Sequence, residues 1–201
     1  MKKILFLLTM VFTLPTFAMS GQYGISSDYV WRGVSQSAGN PSVWACLDQD
    51  VMSGVYVGGC ASSVDFDDDN KIELDLYGGY YMSKGKFSLD VGFISYRYDN
   101  NKSANFEERY VELGYGPVTI GKAHGLDEAL DYEYVDLDIP FLKFADVSLH
   151  YGDYGGIKDK SINVEYPLSD SMKIGLLVQS NVRDDDIDLG DAVSIHFTGK
   201  F

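Results

Sequence analysis

Apolar and polar residues alternate one by one through most of this chain, and this feature constrains its fold most. Near the C-terminus, Val193, Ile195 and Phe197 fall on one face of an extended segment, with Ser194 and His196 on the other. A period of two is typical of a β-strand with one apolar and one polar side. The pattern predicts about twelve such segments of membrane-barrel length. They are Tyr23–Val34, Ser42–Gln49, Val55–Ser63, Lys71–Met82, Phe87–Tyr98, Glu107–Tyr115, Val118–Ala123, Tyr132–Ile139, Ala145–Gly152, Ser161–Tyr166, Met172–Ser180 and a last one ending at Phe201.

The connections between these segments alternate between short and long. Short ones such as Asp50–Gly54 and Gly116-Pro117 carry turn residues, whereas long ones such as Ser35–Pro41 are polar. Transmembrane barrels have this pattern, with short periplasmic turns and longer outer loops. The sequence therefore predicts an all-β fold, an antiparallel transmembrane β-barrel of about twelve strands with both termini periplasmic. A soluble β-sandwich or lipocalin-like barrel also alternates and is the competing interpretation.

The chain begins with the features of a secretory signal peptide. A pair of lysines precedes a run of apolar residues, and small residues follow it, as export and cleavage require. The run is too short to cross a bilayer as a helix. We expect residues 1–20 to be the signal peptide, cleaved after Ser20 or alternatively after Ala18, and residues 21–201 to form the barrel.

The C-terminal residue and the export signal together predict a location. A chain that ends inside a strand on an aromatic residue resembles outer-membrane barrels, in which that residue belongs to the assembly signal; we assign this role to Phe201. The expected location is the outer membrane of a Gram-negative bacterium, with its lipid and the barrel-assembly machinery as partners. The formal net charge of −14 becomes −16 without Lys2 and Lys3, which argues against nucleic acid as a partner.

Two cysteines, Cys46 and Cys60, lie symmetrically about Ser53 in a segment with turn residues. In a hairpin centred there, the two side chains stand opposite each other within disulfide reach. An exported protein also meets an oxidising environment. The sequence predicts a disulfide between Cys46 and Cys60, and two reduced thiols are the alternative.

Several segments resemble one known family. The run SDYVWRGVSQS over Ser27–Ser37, together with Gly54–Gly58, Ala61–Phe66 and Glu73–Tyr80, is similar to the TorF-type porins of proteobacteria, the Gcw_chp family of unknown function. The resemblance is specific over the first part of the exported chain and weak afterwards. It implies an outer-membrane barrel of the porin type and implies no particular substrate.

Charged residues on the polar faces of the predicted strands are mostly acidic. Carboxylates that line a pore favour cations and repel anions, so an open lumen is expected to be cation-selective. The alternative is that Arg32 and its acidic neighbours form a salt-bridge network that fills a narrow interior. The predicted pore-lining residues are Asp28, Arg32, Glu73, Asp75, Asp90, Glu108, Glu112, Asp136, Asp138 and Glu165.

These features predict a small porin-like channel for passive diffusion of cations or small polar solutes through an acidic lumen. The alternative is a non-conducting surface protein whose acidic loops, Asp65–Asn70 and Asp184–Asp188, bind a partner or divalent ions. Neither loop has the glycine and distal glutamate of an EF-hand, and no metal site or cofactor is predicted. The three histidines lie apart without a serine partner, so we expect no enzymatic activity.

Overall fold

The computed structural model describes residues 19–201 except 67, 127, 141, 143 and 184–187, and gives only the backbone of 183 and 188–190. In this part of the chain no helix is long and apolar enough to cross a membrane. A short 3₁₀ helix covers Lys102–Ala104. The strands are β1 (Met19–Ser26), β2 (Val30–Trp31), β3 (Val34–Ser35), β4 (Ser42–Met52), β5 (Val55–Ser63), β6 (Ile72–Lys84), β7 (Phe87–Tyr98), β8 (Phe106–Tyr115), β9 (Val118–Leu126), β10 (Tyr132–Asp138), β11 (Asp146–Tyr154), β12 (Ile157–Ser169), β13 (Met172–Arg183) and β14 (Asp188–Lys200).

Strand β1 and strands β4 to β14 close into one antiparallel barrel of twelve strands. Each strand from β4 onward pairs with the next in sequence, and β1 completes the ring by pairing with both β14 and β4. Ile25 of β1 therefore lies opposite Phe197 on one side and Val43 on the other. The predicted twelve-stranded antiparallel barrel is confirmed. Strands β2 and β3 form a separate two-stranded sheet.

The alternation of residue types separates the two faces of the barrel wall. On β6, the outward-facing Ile72, Leu74 and Leu76 are exposed, whereas Glu73 and Asp75 between them are buried. A barrel whose outer face is apolar and whose interior is polar is the arrangement that a lipid bilayer requires. The buried polar side chains of the described residues are Gln36, Ser37, Ser42, Ser62, Asn70, Glu73, Asp75, Ser95, Glu108, Asp159, Gln179, Asn181 and Ser194.

The two ends of the barrel differ in their connections. The chain enters and leaves at one end, near Met19 and Lys200, which we call the terminus end; the opposite end is the hairpin end. At the hairpin end, β11 and β12 are joined by Gly155 and Gly156, where the sequence predicts a longer loop over Asp153–Lys160. That prediction is wrong because both glycines adopt positive φ, 57° and 96°, the backbone of a two-residue hairpin turn.

The C-terminal residue is built into the closing seam of the barrel. The backbone N–H groups of Phe201 and Gly21 donate to each other's carbonyls at 2.9 and 3.1 Å, and the Phe201 ring stacks on Tyr23. The assembly role of Phe201 stays a prediction. The predicted signal peptide falls almost wholly outside the described residues, and its cleavage site stays a prediction. Met19 and Ser20 belong to β1 and pair with β4.

Candidate functional site: the lumen and its constriction

The segment between β1 and β4 folds into the barrel. Strand β1 ends at Ser26, and β2 and β3 form a hairpin whose turn is Arg32 and Gly33, with φ of 45° and 85°. Two successive positive φ angles define the tight turn that matches the twist of a hairpin. The prediction of one strand over Tyr23–Val34 is therefore wrong, because its second half turns into the lumen instead of continuing along the wall.

Hydrogen bonds hold this hairpin against the last two strands of the barrel. The Ser194 hydroxyl donates to the Asp28 carbonyl at 2.8 Å, and the Asn181 amide donates to the Gly33 carbonyl. Within the segment, the Asp28 carboxylate accepts from the hydroxyls of Ser35 and Ser37 at 2.6 and 3.0 Å. The bonds from Ser194 and Asn181 satisfy the backbone carbonyls of Asp28 and Gly33.

The tip of the hairpin reaches the far wall of the barrel. Arg32 Nη1 and Nη2 donate to the two carboxylate oxygens of Glu108 at 2.6 and 2.7 Å, a bidentate pair. The Glu108 side chain is fully buried, and that of Arg32 is 10% exposed. Because β8 lies on the opposite side of the ring from β1, the hairpin crosses the lumen and constricts it.

Aromatic rings surround the same guanidinium. Its central carbon lies 4.2 Å from the Trp31 ring centroid, 4.3 Å from that of Tyr132 and 5.1 Å from that of Tyr154. All three distances are within cation–π range. The Trp31 ring in turn packs edge-on against Tyr96 and Tyr154. The hairpin tip is thus fixed by one buried ion pair and by ring packing.

Tyrosines and carboxylates pair along the rest of the luminal wall. A tyrosine hydroxyl that donates to a carboxylate satisfies one of its lone pairs without neutralising its negative charge. The pairs join Tyr29 and Tyr98 to Glu73, Tyr77 to Asp48, Tyr56 to Asp90, Tyr134 to Glu112, and Tyr132 to Asp159.

Inward-facing glycines leave room for these rings. Gly58 lies directly across from Tyr77, Gly92 from Tyr110 and Gly121 from Tyr134. A side chain at any of the three positions would collide with the facing tyrosine ring. Each ring therefore lies flat over the backbone of the neighbouring strand, which lines the lumen with aromatic faces.

One histidine is held between two acids below the hairpin. His150 Nδ1 lies 2.6 Å from Asp136, and Nε2 lies 3.0 Å from Asp159. The Tyr132 hydroxyl also lies 2.6 Å from Nε2. A histidine with both ring nitrogens facing carboxylates is well placed to donate to each in its protonated form. This cluster extends the polar network from the hairpin tip toward the terminus end.

The terminus end of the lumen has a second charge cluster, which is more open. Lys173 Nζ lies 2.8 Å from Asp146 and 3.0 Å from Glu165, and His196 lies 3.3 Å from Glu165. Asp138 lines a cavity of about 420 Å³ together with Asp146, Glu165 and Lys173. The side chains of Asp146 and Lys173 are 71% and 39% exposed, so water reaches this cluster.

The predicted pore-lining residues fall at three levels of the lumen. Asp28 and Arg32 belong to the inserted hairpin segment, and Asp138 and Glu165 lie at the terminus end. The others project from the wall between, of which Asp75 is buried with its Oδ1 atom lacking a hydrogen-bond partner. The sequence placed all of these on polar faces, and the side chains that it names for β6, β7 and β8 do point inward. They are Glu73, Asp75, Asp90, Glu108 and Glu112.

Some aromatic residues occupy positions that the sequence does not predict. The pattern assigns seven aromatic residues to the lipid-interface girdle: Tyr29, Trp31, Tyr80, Tyr96, Tyr98, Tyr115 and Tyr151. Tyr80, Tyr115 and Tyr151 are exposed, but the assignment is wrong for Tyr29, Trp31, Tyr96 and Tyr98. Tyr29 and Tyr98 donate to Glu73, and Trp31 and Tyr96 pack together at the hairpin tip. The inward parity of Tyr96 and Tyr98, which share a face with Asp90, was the signal that could have placed them.

The two cysteines face the lumen. Cys46 and Cys60 are cross-strand neighbours on β4 and β5, and a disulfide joins them. Cys60 Sγ lies 3.9 Å from the Tyr77 hydroxyl, on the luminal side of the wall. The bond therefore fastens β5 to β4, the strand that pairs with the closing strand β1.

The acidic loops show no metal centre in their described parts. Asp68 accepts hydrogen bonds from the backbone and side chain of Asn70 at 2.8 and 2.9 Å, and Asp65 pairs with Lys71. Across the described residues, no group of three or more His, Cys, Asp or Glu is arranged to hold a metal ion. Most of the second predicted loop, Asp184–Asp188, lies outside the described residues.

A closed twelve-stranded barrel with an apolar outer face and a folded-in segment across a polar lumen defines a protein with the porin fold. Solved structures agree. The KdgM porin aligns with a TM-score of 0.68 at 12% identity, covering 90% of this chain and 99% of the porin. The NanC porin aligns with a TM-score of 0.57 at 8% identity, covering 92% and 99%. At these identities the likeness establishes the fold alone.

The family follows from the sequence match. The model of the Gcw_chp family, described as bacterial proteins of unknown function, matches residues 14–150. Because this covers more than half of the chain, the protein belongs to the Gcw_chp family, and the predicted family resemblance is confirmed. No curated protein matches this chain in sequence.

Proposed function

We propose that this protein is a small passive channel of the outer membrane that admits cations and small polar solutes, with the β2–β3 hairpin as its constriction. One observation carries the proposal: among the described residues, luminal carboxylates outnumber luminal cationic side chains. Among the described residues, the luminal cations Arg32 and Lys173 each face a buried or half-buried acid, Glu108 and Glu165 respectively. A lumen of that sign attracts cations and repels anions.

The size of the barrel supports a restricted pore. Barrels of about eight strands are filled by their own side chains, whereas those of about sixteen leave an aqueous channel. Twelve strands enclose an intermediate space, which the hairpin narrows further. A cavity of about 370 Å³ remains beneath the hairpin, and Asp90, Glu112 and Tyr134 are among its lining residues. Diffusion past flat tyrosine rings and carboxylates is the mechanism we infer.

The test is the conductance of the refolded protein in a planar bilayer under a potassium chloride gradient. We expect discrete current steps and a reversal potential of the sign for cation preference. Asp90→Asn combined with Glu112→Gln should move that potential toward zero, because both carboxylates line the cavity under the hairpin. The matched control is Glu133→Gln on β10, whose exposed side chain pairs with Lys122 on the outer face, and it should leave the potential unchanged.

Two outcomes would count against the proposal. An unchanged reversal potential in the luminal double variant would remove those carboxylates from the selectivity mechanism. An inserted barrel that stays electrically silent, both as wild type and with Arg32→Ala, would support the non-conducting surface protein instead. In that case the acidic loops become the parts to study.

A further inference from the structure

The recess that holds the Arg32 guanidinium is built largely by the barrel wall. Glu108 of β8, Tyr132 of β10 and Tyr154 of β11 come from three wall strands, and only Trp31 comes from the hairpin itself. The carboxylate offers two oxygens to one planar group, while two wall rings lie over it. This combination of fork and rings recognises a guanidinium and suits a compact ammonium less well.

The group that fills the recess is presented by a strained turn. Arg32 has φ of 45°, a left-handed backbone that is unfavourable for a non-glycine residue. A neighbouring glycine, Gly33, takes the other left-handed position without that cost. The chain thus accepts strain in order to present one particular side chain at this point in the lumen.

Free space and further negative charge lie beside the recess. The cavity of about 370 Å³ beneath the hairpin is bounded by Arg32 and Glu108 themselves, and also by Asp90, Glu112 and Tyr110. Asp90 and Glu112 accept hydrogen bonds from Tyr56 and Tyr134, which leaves their negative charge in place. A cationic solute that enters this cavity meets carboxylates before it reaches the recess.

We propose that this wall recess is a binding site for guanidinium-bearing solutes, and that Arg32 occupies it as a built-in substitute for such a solute. The inference rests on the proposed channel function and names a substrate class for it. A solute with a guanidinium group displaces the Arg32 side chain, takes over the bidentate contact with Glu108 and makes cation–π contacts with the rings of Tyr132 and Tyr154. Displacement frees the hairpin tip from the far wall and widens the constriction.

The experiment uses the refolded full barrel with Arg32→Ala, in which the recess is vacated, and methylguanidinium chloride as the probe. Methylammonium chloride at equal ionic strength is the control. We expect methylguanidinium at millimolar concentration to raise the thermal unfolding midpoint of Arg32→Ala in a saturable way, while methylammonium does not. Adding Glu108→Gln to this variant removes the charged acceptor. The methylguanidinium concentration that gives half of the maximal rise in the unfolding midpoint should then increase by about tenfold or more. Equal effects of the two salts, or an unchanged effect with Glu108→Gln, would overturn the site.

A second measurement covers the case in which Arg32→Ala fails to fold. Trp44→Phe leaves Trp31 as the one tryptophan, so its emission reports on the recess. In this background, Arg32→Lys keeps the charge but loses the fork, and methylguanidinium should change the Trp31 emission at lower concentration than in the parent with Arg32. Identical titrations of the two proteins would contradict the proposal.

These readouts separate the inference from the channel function. Selective binding of methylguanidinium to an electrically silent barrel would contradict the channel function and support the guanidinium site. A conducting barrel without selective binding would leave the channel and sink the site.

Discussion

The lumen has one half toward the hairpin end and one half toward the terminus end. Both contain acidic side chains paired with a cation, but the two sets differ in their exposure to water. In the hairpin half, acids such as Glu73, Glu108 and Asp159 are almost completely buried, with exposures of 3%, 0% and 2%. In the terminus half, Asp146 and Lys173 form ion pairs that water reaches. The inserted hairpin makes the difference, because it removes water from the first set. An acidic residue in such a barrel is therefore a structural anchor or a solvated lining group according to what lies across from it.

The largest test of this contrast is to delete the cation of each half. Arg32→Ala leaves Glu108 buried without its partner and should destabilise the barrel by about 3 to 5 kcal/mol. Lys173→Ala removes the partly exposed ion pairs with Asp146 and Glu165 and should cost about 0 to 1 kcal/mol. Equilibrium unfolding in detergent, followed by gel mobility, measures both. Arg97→Ala, which breaks a pair with Glu107, is the matched control for losing an arginine, and equal losses for Arg32 and Lys173 would refute the contrast.

Removal of the disulfide between β4 and β5 tests how much this bond stabilises the barrel wall. Cys46 and Cys60 are 14 residues apart in sequence, and closing a loop of about 15 residues stabilises a fold by up to about 3 kcal/mol. Replacing both by serine should lower the free energy of unfolding by that amount or less, because the β4–β5 turn already holds the strands together. Unfolding curves with and without reductant give the value. The double serine variant should not respond to reductant, and a wild type equally indifferent to it would argue against the bond.

A smaller effect is expected where a luminal ring lies over glycine. Gly121→Ala forces the Tyr134 ring off the wall, and overpacking of this kind costs about 1 to 3 kcal/mol. Gly59→Ala is the matched change on the outer face, where a methyl group lies 3.2 Å from the flexible Leu76 side chain and 3.3 Å from the Asp75 carbonyl, with no ring in its way. We expect that variant to be near neutral in the same unfolding experiment. A larger loss at Gly59 than at Gly121 would mean that the rings do not fill the lumen wall.

The smallest expected effect concerns a loop at the hairpin end. Backbone N–H groups of Lys71 and Ile72 donate to the Asp99 carboxylate at 3.0 and 3.3 Å, and the Lys71 bond above all lowers the pKa of Asp99. A depressed folded-state pKa gives stability that is present above the unfolded pKa of about 4 and is lost as pH falls through the folded value. The amide chemical shifts of Lys71 and Ile72 should therefore titrate below the usual aspartate range. Asp99→Asn should abolish this titration, and a midpoint at or above the usual value would contradict the bond.

Much of the wall could be predicted from the sequence because a barrel strand exposes its pattern directly. Lipid requires apolar side chains at every second position, so the faces of β6, β7 and β8 follow from counting alone. Cys46 and Cys60 could be paired for the same reason, since symmetry about a turn fixes which residues face each other. Local rules are sufficient wherever neighbouring strands are also neighbours in sequence.

The contents of the lumen could not be predicted in the same way. Arg32 contacts Glu108 across 76 residues of sequence, and no periodicity reports on a contact between a loop and a distant wall. Gly33 is the local residue that indicates a turn after Arg32. The residues around it alternate as in a strand, so the pattern predicts one continuous strand instead of a hairpin. The tyrosines at 96 and 98 were misplaced because an aromatic residue suits both a lipid interface and a packed lumen.

The hydrogen bonds of the hairpin also bear on the order of barrel assembly. Asp28 and Gly33 are among the earliest residues of the barrel to leave the ribosome, yet their carbonyls accept from Ser194 and Asn181 on the last two strands. The pairing of β1 with β14 and the attachment of the β2–β3 hairpin to the wall are therefore completed together. Until β14 docks, the hairpin segment lacks its hydrogen bond to Ser194. Closure of the barrel and narrowing of its lumen are therefore one step of assembly.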